Sequence, residues 1–335
     1  LVGALNTLDV SGWPGLRALR VHGNLGHWPG GLLDLEHLET LDLSGTTLKT
    51  LPEPLFSGHL RLWRGMHLNW SGIDPATVMR AYEYVRDNPA HPMDAQQWIA
   101  DYCRGCIKRF VPQDVHFRDT VLTQYAGRYQ ALPDLLVRVN ALHAEQDALT
   151  VAIDRWIDKQ PPTADMFFRR QVADRLQQCW SQGVAARLEV QEASPGPSWR
   201  QASRSGSLDL SGGGVHDLPA LPANGFGHVH SLDMSNLRVP HDELDRFLGV
   251  FTHVKTLTLS RSNLTSLPAA LGELRQITDL NLAFNELTLS PTMQGRLNHL
   301  TELQKLNLQG NRIIALDVST LTRLESLDLS DSGIR

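Results

Sequence analysis

Covalent and metal staples are scarce in this sequence, with three cysteines among 335 residues. Cys103 and Cys106 form C-R-G-C, spaced like half of a zinc site or a redox pair. A structural zinc needs two further ligands, yet the third cysteine is the distant Cys179, and no second C-x-x-C or H-x-x-x-H follows. Cys106 instead shares a helical face with Trp98, Ile99 and Tyr102, which packing explains. Neither sign of charge dominates: 31 basic and 36 acidic residues give a net charge of −5, and no electrostatic case for nucleic acid or an anionic membrane. A run of ~18 apolar residues, the length a membrane-spanning helix needs, is missing. Missing too are a glycine-rich phosphate loop and any nucleophile and base at recognisable spacing. Gly212-Gly213-Gly214 lies in a turn between repeats. No catalytic residue, cofactor or metal ligand is therefore assigned.

What the chain does have is a repeat. The pattern L-x-x-L-x-L-x-x-N-x-L is cleanest at ITDLNLAFNEL (277–287) and LQKLNLQGNRI (303–313). Taking its second leucine as a mark places copies at Leu208, Leu232, Leu257, Leu280, Leu306 and Leu327, with steps of 24, 25, 23, 26 and 21 residues. Such steps suit the leucine-rich repeat, in which a short strand cannot bury its leucines alone and must stack on its neighbours. An earlier block carries marks at Leu19, Leu41 and Met66, and Leu8 is an irregular start. The asparagine slot, where a buried amide binds the backbone of adjacent turns, holds Asn24, Asn285 and Asn311. Thr46, Ser71, Ser262 and Ser332 fill it elsewhere with a hydroxyl that can make part of the same set of bonds. Leu-Pro at 51–52, 218–219 and 267–268 predicts brief helical or 3₁₀ turns on the convex side.

Between the blocks the period changes to that of helices. Asp74-Pro75 starts one, with Val78, Tyr82 and Val85 on its apolar face. Others are expected from about Asp94, over 114–130 (Phe117, Val121, Leu122, Tyr125, Tyr129), from Pro133, and after Pro161-Pro162-Thr163. EASPGPSWRQASRSGS reads as a linker. The expected organisation is an α/β leucine-rich repeat solenoid in two blocks, 1–73 and 207–335, interrupted by an all-α insert at 74–191 and a linker at 192–206. Because the chain opens and closes within repeat-like sequence, it is expected to be a segment of a longer protein.

Strand alternation turns the residue after each marked leucine toward the concave face. That column is Arg20, Asp42 and His67 in the first block, and Asp209, Asp233, Thr258, Asn281, Asn307 and Asp328 in the second. The residue two further on adds Gln309 among several serines. The face is polar and mildly acidic, suited to a protein partner with a basic or hydrogen-bonding patch, with Phe284 and Trp70 as exposed aromatic anchors. At any one position Asp or Ser also serves ordinary solvation, so the column as a whole is the stronger candidate. His228, His230 and the pair Arg169-Arg170 are expected on solvated or acid-paired faces.

The succession FFRRQVADRLQQCW (167–180), SLDLSGGGVHDLPALPANGFGHVHSLDMSNLRV (207–239), LTLSRSNLTSLPAALGEL and LNLQGNRIIALDVSTLTRLESLDLSDSGI resembles the middle of large bacterial effectors. In that family a toxin-like N-terminal region precedes leucine-rich repeats and a C-terminal novel E3 ligase (NEL) domain. The resemblance implies a secreted parent that transfers ubiquitin to proteins in the host cytoplasm through a catalytic cysteine. It also implies that the repeats select the host substrate and restrain the parent's own ligase domain. The nucleophile of that family sits in C-x-D, which is found nowhere here: Arg-Gly follows Cys103, Ile-Lys follows Cys106 and Trp-Ser follows Cys179. The resemblance therefore puts catalysis beyond Arg335. The alternative is a stand-alone adhesion or binding scaffold.

Overall fold

The computed structural model describes residues 7–110, 121, 123, 132–159, 165–188, 206–212, 214–288, 290–313 and 315–333. They form two compact units, residues 1–144 and 145–335. The division falls inside one helix, α4 (Leu132–Asp158), between Ala144 and Glu145.

In the first unit, β1 (Ala18–Gly23), β2 (Thr40–Thr46) and β3 (Met66–His67) form a parallel sheet in sequence order. The marks face one another, Leu19 beside Leu41 and Leu41 beside Met66. A register shift between Arg20 and His22 distorts β1, and the turn after it leaves Asn24 exposed instead of buried as an amide clamp. Ser71 likewise turns its hydroxyl to Asn69 Oδ1 at 2.8 Å. A short helix, α1 (Leu60–Gly65), supplies Leu62 and Trp63 to the core. Two longer ones follow, α2 (Pro75–Asp87) and α3 (Ala95–Phe110). Helix α2 starts where expected because Asp74 Oδ1 accepts the N–H groups of Ala76 and Thr77 at 3.0 Å. The helix expected over 114–130 lies outside the described residues, apart from helical Val121 and Thr123.

In the second unit, β4 (Ser207–Asp209), β5 (Ser231–Asp233), β6 (Thr256–Thr258), β7 (Asp279–Asn281), β8 (Lys305–Asn307) and β9 (Ser326–Asp328) form a six-stranded parallel sheet in sequence order. Leu208, Leu232, Leu257, Leu280, Leu306 and Leu327 pair mark to mark across it. The first five are buried, and each contributes about 1.5–3 kcal/mol by leaving water. Asn285 ties successive turns together: its Oδ1 accepts from Ser262 and Leu264 N–H at 3.0 Å, and its Nδ2 donates to the Leu259 and Leu282 carbonyls at 2.9 Å. Asn311 repeats the arrangement one turn on, donating to Leu282 and Leu308 at 2.9 Å. Ser262 makes the reduced set expected of a hydroxyl, reaching Met234 O at 3.3 Å and Ser260 O at 3.2 Å. On the convex side Pro268 opens the 3₁₀ turn Ala269–Glu273, as Pro52 opens Glu53–Phe56 in the first unit. No helix follows Leu218-Pro219.

The edge of this sheet at β4 is covered by α5 (Asp165–Arg187), a helix with buried Val172, Leu176, Trp180 and Val184. Arg169, expected to be solvated or acid-paired, is buried and pairs with Asp217 at 2.5 Å while its guanidinium lies 4.8 Å from the Trp156 ring. Arg187 pairs with Glu145 and covers Trp180. An array that stacks only on neighbours needs such caps, because its end faces are otherwise bare leucine. His228, expected on the surface, is half-buried under this helix, where its Nε2 donates to Cys179 O at 2.9 Å and its ring lies where a side chain on Gly183 would have to go. His230 is exposed.

Candidate protein-binding surface

The side chains along the sheet of the second unit follow directly from its register. Asp209, Asp233, Thr258, Asn281, Asn307 and Asp328 form one continuous row, each paired with the next across the ladder. Five of the six also have a local task. The Oδ1 atoms of Asp209, Asp233, Asn281, Asn307 and Asp328 accept the backbone N–H two residues on, at 2.8–3.0 Å. Each closes an Asx turn that satisfies a backbone donor where the strand ends. The residue types of the row are therefore set first by turn chemistry. What remains for a partner is the second carboxylate oxygen of each Asp and the Nδ2 donors of Asn281 and Asn307.

The carboxylates at the two ends of the row titrate below the ordinary carboxylate value. Hydrogen bonds from the Ser211 hydroxyl and N–H, with Arg175 nearby, hold Asp209 below the usual 3.8. Those from Ser330 do the same for Asp328. In the adjacent row Gln309 is half-buried, and the Ser260 hydroxyl donates to Ser235 at 3.2 Å. Arg175 reaches from α5 onto this face, donating to the Asp209 carbonyl at 2.9 Å. The sole lysine in these strands, Lys305, is paired with Asp279 at 3.1 Å.

A third row runs along the rim. The fourth residue after each mark takes a left-handed backbone: φ is 71° at Gly212, 61° at Asn236, 57° at Arg261, 56° at Phe284, 66° at Gly310 and 55° at Asp331. Glycine, asparagine and aspartate accept this region readily, whereas large side chains in it are uncommon. Arg261 and Phe284 are the two exceptions in the row. They stand side by side, with the guanidinium 4.5 Å from the ring centroid, and Phe284 is 43% exposed. The ring also leans over Gly310, where an added Cβ would sit 2.7 Å from Phe284 Cδ1. The repeat thus holds an aromatic and a cation at its rim in a backbone conformation that glycine would adopt more easily.

In the first unit Arg20 and His67 are exposed, and Asp42 repeats the Asx turn with Ser44 N–H at 3.1 Å. Trp70, expected as a second exposed anchor, is half-buried and stacked on Trp63, with ring centroids 5.9 Å apart. The cysteines are placed for packing. All three are buried and none is in a disulfide, and burial pushes the Cys179 thiol up to about 12 and raises Cys103 strongly. Two stand near histidines, Cys106 at 3.9 Å from His143 and Cys179 at 3.7 Å from His228. His143 belongs to a buried network in which Arg109 donates to Nε2 at 2.8 Å and Tyr102 OH lies 3.0 Å from Nδ1. The Tyr102 hydroxyl also donates to Asn140 at 2.7 Å. Among the described residues no group of three or more His, Cys, Asp or Glu is placed to hold a metal ion, and no helix is long and apolar enough to cross a membrane.

Parallel strands carrying in-register leucines, with asparagine amides clamping the turns between them, define a leucine-rich repeat protein. No protein-family model matches the sequence, and no curated protein matches it either. Among solved structures the chain is similar to the leucine-rich repeat domain of the type III effector XopL, at 19% identity and TM-score 0.34, covering 67% of this chain and 75% of that one. It is also similar to internalin C2 of Listeria monocytogenes, at 18% identity and TM-score 0.33 over 55% of this chain and 62% of that one. An internalin F from the same organism aligns at 20% identity and TM-score 0.28 over 31% of this chain. This chain spans only 29% of the internalin F and 62% of the internalin C2 chain.

Arg261 and Arg175 are the two surface residues that the column argument did not include. The first was legible in principle, since its slot is glycine in two other copies, at Gly212 and Gly310. The second depends on where α5 docks, since Arg175 lies 34 residues before Asp209 in the chain.

Proposed function

We propose that this chain is the substrate-recognition and regulatory segment of a secreted bacterial E3 ubiquitin ligase effector of the NEL type, acting on proteins in the host cytoplasm. The face formed by Asp209, Asp233, Thr258, Asn281, Asn307, Gln309 and Asp328, with Phe284 at its rim, takes the host protein. The parent's own ligase domain is a second partner for the repeats. The observation that carries the recognition role is the Arg261–Phe284 pair. Both residues hold a backbone region that large side chains avoid, at an exposed site, and strain of that kind collects where a surface is used. Aromatic and arginine side chains are also the commonest anchors of protein interfaces. The ligase assignment is supported by the order of repeats, helices and repeats along the chain, which resembles that family.

Three experiments test the two parts separately. The gene should continue past Arg335 into a helical domain containing C-x-D, and a ubiquitin-discharge assay on this segment alone should be negative. Continuation into further repeats or an anchor, or discharge by the segment, contradicts the ligase reading. For recognition, charge reversal at Asp209, Asp233 and Asp328 should abolish host-protein capture, and unchanged capture sinks the acidic row.

A further inference from the structure

Beside the strands of the first unit lies a groove of about 430 Å³, a size usual for small-ligand sites. One wall is a single face of α3, where Asp94 at the helix start, Trp98, and Asp101 with Tyr102 follow at the three- and four-residue spacing of a helix. The other wall is the turn that carries Leu68 and Trp70. The indoles of Trp70 and Trp98 meet nearly at right angles, 80° apart with centroids at 5.1 Å, so the middle of the groove is an apolar aromatic corner. Arg109 fixes this geometry by donating to the Ser71 carbonyl at 2.7 Å, tying the turn to the helix.

The charge along the groove is one-sided. None of its lining residues is Lys or Arg, and Asp94 and Asp101 stand two helical turns apart, about 10 Å along the axis. Asp94 spends one oxygen on the N–H of Gln97 at 2.8 Å. Asp101 is met by Arg104 at 2.8 Å and by Gln97 Nε2 at 3.0 Å. Arg104 is about half exposed and lies outside the groove lining, and exposed pairs of this kind hold weakly. We propose that the groove binds a linear aliphatic diamine, with its methylenes against Trp70 over the buried edge of Trp98 and an ammonium group at each carboxylate. An apolar middle bounded by two anions matches a chain with a cation at either end better than a single cation does.

The test is a calorimetric titration of the full chain with 1,5-diaminopentane, alongside 1,5-pentanediol and Nα-acetyl-lysine methylamide. The diamine should bind at one site, weaken with added salt, and exceed both comparison molecules. Asp94→Asn and Asp101→Asn, which keep the helix cap and the side-chain shape, should each weaken binding by about three-fold. Arg104→Ala should strengthen it by releasing Asp101, a gain that a damaged fold would not produce. Equal binding of the diol, or affinity unchanged in both Asn variants, overturns the site. Equal binding of the lysine derivative overturns the two-ended ligand.

Discussion

At Phe284 and Asn285 two neighbouring residues behave oppositely, and stability measurements separate them. Asn285 is 5% exposed and makes bonds to two adjacent turns, so Asn285→Ala strands buried backbone groups and should lower stability by about 2–4 kcal/mol in chemical denaturation. Phe284→Gly removes an exposed ring and relieves the left-handed backbone, so it should leave stability within about 1 kcal/mol of the parent chain. A larger loss would make the ring a packing residue instead of an anchor. Acid titration of the concave row has a defined sign. Asp209 and Asp328 titrate below their ordinary value of 3.8, so their turns contribute stability that is present above that value and lost as pH falls through the lower folded one. NMR should place both midpoints below 3.8, and Asp328→Asn should keep its turn while removing its share of the pH dependence.

At the scale of elements, helix α5 is the part on which the second array depends most. Beneath it, burial first, and then Arg187, hold the titration of His228 below 6.5, against the opposing effect of its bond to the Cys179 carbonyl and, less, of Glu145. Docking is therefore complete above pH 6.5 and weakens as pH falls through the lower folded value. Hydrogen exchange in 165–187 should accelerate over that range, and His228→Gln, which keeps an N–H donor, should blunt the effect. Gly183→Ala would bring a Cβ to 2.3 Å from His228 Nδ1 and should cost about 1–3 kcal/mol through the same interface. The leucine marks predicted every strand pairing of this array, because repeat period and sheet register are the same quantity. Helix starts at Asp74 and near Asp94 were equally legible from local capping. The covering of β4 by α5 was not, since an amphipathic helix announces an apolar face without naming its partner. The concave row was legible as positions, and its Asx-turn role emerged only with the backbone geometry.

For the molecule as a whole, the recognition claim rests on the rim pair and the polar row acting together in the second unit. The row offers carboxylates at Asp209, Asp233 and Asp328, while the rim offers a guanidinium and a ring at Arg261 and Phe284. A partner fitting both presents basic or amide groups to the row and an acidic residue beside an apolar one to the rim. The most direct measurement compares the proteins captured by the full chain with those captured by an Arg261→Gly, Phe284→Gly double variant of matched thermal stability, quantified by mass spectrometry. The account predicts that a defined set of proteins held by the parent chain disappears from the variant. An identical captured set from both chains would contradict it.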